Sequence, residues 1–249
     1  MNKLKKYFFL ILVFVVTSCA ELMQAVSTTM GNQPLTNTEI IAGLKQALAI
    51  GTDSSVARVS KTDGYFRDEL IKILLPPEAE IITKNLNRIP GGEKLLNDVV
   101  LRINRAAEDA AKEAAPIFIG SITSMTISDG LGILKGGDYA ATEYLKRTTS
   151  EQLFNLYQPK IKTSIDKKLI GNISTSESWN TLTGEWNRIA NSIIGQAAGF
   201  TPVNVKLDEY LTQKALDGLF LKIGEEEKKI RTDPMARVTE LLKRVFGAQ

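Results

Sequence analysis

The stretch LDEYLTQKALDGLFLKIGEEEKKIR, residues 207–231, decides the fold. Advancing about 100° per residue from Leu216 places Leu219, Phe220, Ile223 and Ile230 at about 300°, 40°, 340° and 320°, which is one apolar face of an α-helix. Glu225, Lys228 and Lys229 fall on the opposite side, toward water. Glu226 and Glu227, near 280° and 20°, fall inside the apolar face, with Arg231 at its edge near 60°. A carboxylate on a buried face must be paired or protonated, and Glu227 with Arg231 makes a favourable i, i+4 pair. Two readings follow. One is an internal ion pair that fixes helix register. The other is a carboxylate in a cleft, serving as general acid, base or ligand anchor. Asp217 sits at the border of the same face, where an inter-helix hydrogen bond is the structural expectation.

Working outward, the rest of the chain also reads as helix. Thr36 with Glu39 is a capping box, and Ile40, Ile41, Leu44 and Leu48 follow at helical spacing. Residues 60–76 read as an irregular excursion, with Asp63-Gly64 as a turn and Ile73 to Pro77 extended by the proline rule. Helices are predicted at about 78–89 and 93–114, then at 116–124, 128–135 and 138–148. Ser150 is a candidate cap for the next, which Pro159 would kink or restart. Trp179, Leu182, Trp186, Ile189 and Ile193 mark a helix over 176–194, its tryptophans read as core. Asp233-Pro234 predicts a cap and first turn for a last helix over 234–246. No alternating strand of useful length is evident. The expectation is an all-α, single compact multi-helix bundle of roughly nine or ten helices spanning residues 36–249.

In the helix around LRINRAAEDAA, residues 101–111, Val99, Ile103, Ala107 and Ala110 take the buried face. Asn104 with Glu108, and Arg105 with Asp109, are i, i+4 pairs on its polar side, where a solvated surface is expected. Lys160, Lys162, Lys167 and Lys168 form a basic patch that suits water or anionic headgroups. The glycines of 130–137 lack the Gly-Lys-Ser/Thr order of a phosphate loop.

Counts narrow the chemistry further. The chain has 249 residues, one Cys and no His, which removes imidazole mechanisms, His-ligated metal sites, disulfides and thiolate clusters. No cofactor and no metal is expected. Residues 1–18 read as a signal peptide, with Lys3, Lys5 and Lys6 before ten apolar residues, Tyr7 to Val16. A membrane span needs about 20. Val16-Thr17-Ser18-Cys19 is similar to a bacterial lipobox, so Cys19 is expected to carry lipid and anchor the chain to a membrane, with 19–35 as a short polar tether. The residue after it, Ala20, is not the Asp that retains some lipoproteins in the inner membrane. That favours the periplasmic face of the outer membrane. Loss of the leader removes three of the 31 basic residues, leaving 28 against 28 acidic ones, so no basic field invites nucleic acid.

Six phrases, taken together, carry a family resemblance: GLKQAL (43–48), NRAAE (104–108), GGDYAATEY (136–144), KALDGLF (214–220), EEKKIRTDP (226–234) and KRVFG (243–247). Their order and spacing resemble the bacterial family catalogued as domain of unknown function 4197. The resemblance implies a secreted, usually lipid-anchored helical protein with no assigned activity. It marks Asn104, Arg105, Glu108, Asp138, Thr142, Asp217, Gly218, Glu226, Arg231 and Pro234 as matching characteristic phrases, and Gly130 as a departure from Ala that would loosen its helix. With Glu227, the polar residues among these form the candidate site. The preferred function is an envelope lipoprotein with a helical binding or assembly domain, meeting an envelope protein or glycan. The alternatives are a carboxylate-dependent hydrolase or lyase acting on envelope glycans, and a carrier with an internal apolar cavity of roughly 300 Å³.

Overall fold

In the computed structural model, the structure describes residues 35–247. The expectations for the leader, Cys19 and the tether up to Pro34 lie outside the described residues. Those described fold as an all-α bundle. The helices are α1 (Asn37–Val59), α2 (Glu80–Lys84), α3 (Gly92–Ala111), α4 (Ala115–Ser124), α5 (Ile127–Lys135), α6 (Ala140–Asp166), α7 (Thr175–Ala190), α8 (Ile193–Ala197), α9 (Leu207–Thr232) and α10 (Glu240–Gly247).

The stretch that opened the sequence reading is the central helix. α9 packs chiefly against α6 and α1, while α3 lies between α6 and α7, and α4, α5 and α10 surround α1. Its apolar face is buried as the periodicity requires, with Leu216, Leu219, Phe220, Ile223 and Ile230 all in the core. Phe220 meets Phe118 of α4 edge-on, ring centroids 5.7 Å apart. Trp179 and Trp186 are core residues too.

Local chemistry sets the helix starts. Thr36 accepts the Glu39 N–H while the Glu39 carboxylate accepts the Thr36 N–H, and Thr126 with Asp129 and Ser174 with Glu177 repeat that reciprocal box. Close approach uses small residues. A Cβ on Gly43 would lie 2.8 Å from Val245 of α10, and one on Gly130 would lie 2.1 Å from Ile41 of α1. Gly130 therefore lets α5 sit close against α1.

Several boundaries differ from the sequence expectation. The segment at 78–89 is broken into a 3₁₀ turn (Pro77–Ala79), the five-residue α2 and a second 3₁₀ turn (Leu86–Arg88). Residues 140–166 form one helix through both Ser150 and Pro159. Ser150 returns its hydroxyl to the Lys146 carbonyl and caps nothing. Pro159 is exposed, so the carbonyl it leaves unpaired one turn back faces water. Asp233 caps only a 3₁₀ turn (Pro234–Ala236), accepting the Met235 N–H at 2.9 Å, and α10 begins later, at Glu240.

Among the described residues no single helix is long and apolar enough to cross a membrane.

Candidate functional site

The irregular excursion after α1 crosses the bundle as a strap over α3 and α9. It begins with a turn in which Asp63 adopts a left-handed φ of 69°, a conformation Asp tolerates better than most residues. A Cβ on Gly64 would lie 2.5 Å from the Val59 carbonyl oxygen, so this turn needs glycine. Beneath the strap, Glu108 Oε1 accepts the N–H groups of Tyr65 and Phe66 at 3.1 and 3.2 Å. Glu108 Oε2 accepts Arg105 Nη1 at 2.6 Å, and Arg105 Nη2 reaches Asp63 at 2.5 Å. The Arg105 hydrogen bond holds the Asp63 carboxyl below its ordinary range, with burial opposing it. One helical turn earlier, Asn104 accepts the Ile73 N–H and donates to the Ile73 carbonyl.

Asn104 is fully buried and Glu108 is 4% exposed, which corrects the solvated face expected for them. Helical periodicity placed both on the polar side of α3, and the strap covers that side. Among the described residues Arg105 and Asp109 pair with other groups and not with each other. Asp109 instead bonds Ser164 and Lys167 of the neighbouring segment, and Lys112.

α9 holds the strap from the other side. The Tyr65 hydroxyl donates to the Ala215 carbonyl at 2.7 Å, the Tyr210 hydroxyl donates to Leu74 and Leu75, and buried Lys222 pairs with Asp68 at 2.6 Å. Gly218 makes this contact possible, since a Cβ there would lie 2.9 Å from the Tyr65 ring.

A second polar cluster joins α9 to the start of α6. Glu227 Oε1 accepts the Ala141 N–H at 2.8 Å and the Arg231 guanidinium at 2.8 and 3.0 Å. Glu227 Oε2 accepts both the N–H and the hydroxyl of Thr142, at 2.8 and 2.7 Å. The side chain thus caps α6 from another helix, satisfying N–H groups that a helix start leaves unpaired. Arg231 also donates to the Ile133 carbonyl at the end of α5. Glu227 and Arg231 border a small, partly open cavity of about 20 Å³, room for about one water.

The remaining candidates are dispersed. Glu226 is largely covered and pairs with Arg58 at 2.9 Å and Lys229 at 2.8 Å. Asp138 is half exposed, 3.5 Å from Lys228. Among the described residues Asp217 makes no inter-helix hydrogen bond. It accepts Gln213 on its own helix at 2.9 Å and lines an open groove.

The family model described as protein of unknown function (DUF4197) matches residues 34–247. The chain belongs to that family. No curated protein and no solved structure matches the chain.

Within the DUF4197 domain the phrases that carry the resemblance are therefore structural joints. NRAAE supplies the strap's clamp, KALDGLF the glycine and carbonyl that seat it, and EEKKIR with AAT the α9–α6 junction. Sequence reasoning missed several members of these joints, Tyr65 and Tyr210 among them, and one residue at a separate joint. Asp63 was legible only as a turn residue. Lys222 gave no signal, since its partner Asp68 lies in the irregular segment. Arg102 is buried, holding Asp98 at 2.7 Å and the carbonyls of Ile170 and Ile173.

Chemically, the arrangement favours rigidity. A two-carboxyl glycosidase needs its pair about 5–9.5 Å apart across an open cleft. In the DUF4197 domain both oxygens of Glu108 and both of Glu227 are occupied by donors of the fold itself.

Proposed function

We propose that this DUF4197 protein is a lipid-anchored envelope protein whose helical domain binds or assembles with a partner and performs no catalysis. The observation that carries the non-catalytic part is the occupancy of Glu108 and Glu227. Their oxygens accept four main-chain N–H groups and two guanidinium groups. A general acid or nucleophile needs an oxygen free to meet substrate. The anchoring part rests on the sequence, where the single Cys follows a ten-residue apolar run. Several acyl chains on Cys19 would hold the domain at a membrane, each buried methylene contributing about 0.8 kcal/mol. Ala20 points to the periplasmic face of the outer membrane. The formal charge balance after leader removal gives no support to a nucleic-acid partner.

Metabolic labelling with a clickable palmitate, followed by membrane fractionation, tests the anchoring. Label on the wild type, with none on Cys19→Ala and release of that variant from membranes, supports it. An unlabelled wild type ends it. Incubating the purified protein with envelope glycans tests the other half. Release of new reducing ends that disappears in a Glu108→Gln or Glu227→Gln variant whose thermal unfolding is unchanged would restore the hydrolase reading. The carrier reading has less support, since the cavity beside Glu227 is far smaller than a ligand-sized chamber.

A further inference from the structure

The strap is held more firmly than an irregular loop needs for its own sake, and while Tyr65, Ile71 and Ile73 enter the core, two of its apolar side chains point out. Its main chain is tied down at residues 65, 66, 73, 74 and 75, by Glu108, Asn104 and Tyr210. Yet Leu70 is 70% exposed and Leu74 is 60% exposed. Ordering a backbone costs about 1–2 kcal/mol per residue. Exposed apolar side chains on an already ordered backbone spare a partner that cost on this side of the interface.

Two open grooves flank this ridge. One, of about 520 Å³, runs between Leu74–Pro77 and the Leu96–Val100 face of α3. The other, of about 390 Å³, runs between Leu70–Leu74 and the Tyr210, Asp217 and Leu221 side of α9. Lys72 lines both. Its ammonium lies 4.7 Å over the Phe66 ring and has no carboxylate partner among the described residues. The other charges in the grooves are matched, Glu80 by Lys84 at 2.9 Å and Lys214 by Asp217 at 3.8 Å. The ridge therefore offers two leucines on either side of Lys72, a cation with no ion pair among the described residues. The exposed Glu69 lies beyond Leu70 and outside both groove linings. Beside them residues 72–76 belong to no helix or strand, and the Leu74 N–H makes no hydrogen bond within the described residues.

We propose that residues 68–77 are a docking ridge for an extended polypeptide segment carrying a carboxylate between apolar side chains. The carboxylate meets Lys72, the apolar side chains cover Leu70 and Leu74, and the extended main chain meets the open Leu74 N–H. This names the partner class for the binding role proposed above and rests on that reading. A lipid surface fits less well. Anionic membranes are recognised by clusters of about four to eight basic residues, and Lys72 is the single cation lining these grooves without an ion pair among the described residues.

The test pans a random-peptide phage library against the full chain, purified in detergent and held by a C-terminal tag. The expected result is enrichment of sequences with Asp or Glu flanked on both sides by Leu, Ile, Val or Phe. A synthetic peptide of the enriched sequence should bind Lys72→Ala and Leu74→Ser at least about tenfold more weakly than wild type, and Glu→Gln in the peptide should cause the same loss. Both positions are at the surface, and unchanged thermal unfolding confirms that the variants fold. No enrichment, enrichment without an acid, or equal binding to the variants overturns the proposal. So does binding to phosphatidylglycerol vesicles that depends on Lys72 and Leu74, which would make the ridge a membrane contact. Peptide binding does not depend on acylation. An unlabelled Cys19 would thus sink the anchor and leave the ridge standing, and a failed panning would do the reverse.

Discussion

Asn104 and Ile73 are joined as neighbouring strand residues would be. The Asn104 Oδ1 accepts the Ile73 N–H at 2.9 Å, and its Nδ2 donates to the Ile73 carbonyl at 2.8 Å. A side chain here replaces the strand partner that an extended segment in an all-α protein lacks. Replacing it with Ala leaves two buried main-chain groups unpaired, each worth about 1–3 kcal/mol. Asn104→Ala is therefore expected to lose roughly 2–4 kcal/mol in urea unfolding. Asn104→Asp keeps the acceptor but sets a carboxyl oxygen against the Ile73 and Val100 carbonyls in a buried site, so it should lose at least as much. A loss under half a kcal/mol for Asn104→Ala would mean that the strap holds without it.

Glu227 joins three elements, so its removal should be felt at the start of α6 as well as in α9. Glu227→Gln keeps the shape but sets an amide N–H₂ against existing donors. Breaking a buried pair by removing one partner costs about 3–5 kcal/mol. A loss of roughly 3 kcal/mol is expected, together with faster hydrogen exchange at the Ala141 and Thr142 amides.

How far these joints were legible depends on whether both partners lay in regular elements. Glu227 and Arg231 share a helix, so an angular plot shows them together on the buried face, and the structure has them paired. Glu108 and Asn104 also lie on a helix, but their partners are main-chain groups of an irregular segment. Periodicity showed a polar face and had no means of showing that residues 60–77 lie across it. The same limit hid Lys222 with Asp68. Pro159 misled for a different reason, because a proline on the exposed face of a long, well-packed helix leaves its freed carbonyl in water.

The hydroxyl of Tyr157 is fully buried and has no hydrogen-bond partner among the described residues. Burial pushes its ionisation well above the ordinary tyrosine range, so it stays a neutral, unpaired dipole. Tyr157→Phe removes that group and leaves the ring. It is expected to raise stability by about 1 kcal/mol, measured by chemical denaturation. A clear loss would reveal a partner for the hydroxyl.

Asp109 ties α3 to α6 through Ser164 and to Lys167 just beyond it. Burial pushes its carboxyl up, but hydrogen bonds from Lys167, Ser164 and Lys112 outweigh this and set it at about 2, against an ordinary value of 3.8. A folded-state value below the unfolded one gives stability that is present above pH 3.8 and is lost as pH falls through about 2. Between those limits the wild type should lose more stability than Asp109→Asn, in unfolding curves taken at fixed salt. Parallel curves would show that the carboxylate is not held by these bonds.

Gly184 is an exposed interior residue of α7, and a Cβ there would meet nothing within 4 Å. Gly184→Ala should raise stability by about 0.8–1 kcal/mol through helix propensity alone. No change on thermal unfolding would indicate that this surface is already covered.

The central claim is that the polar residues of the NRAAE phrase hold the fold and are not open to a ligand. Amide hydrogen exchange at Tyr65, Phe66 and Ile73 tests it most directly, in wild type and in Glu108→Gln and Asn104→Ala. The account predicts slow exchange at all three in the wild type, near the rate set by global unfolding. It also predicts selective loss of protection at Tyr65 and Phe66 in the first variant and at Ile73 in the second. Fast exchange at these amides in the wild type would contradict it, leaving Glu108 and Asn104 free to do chemistry.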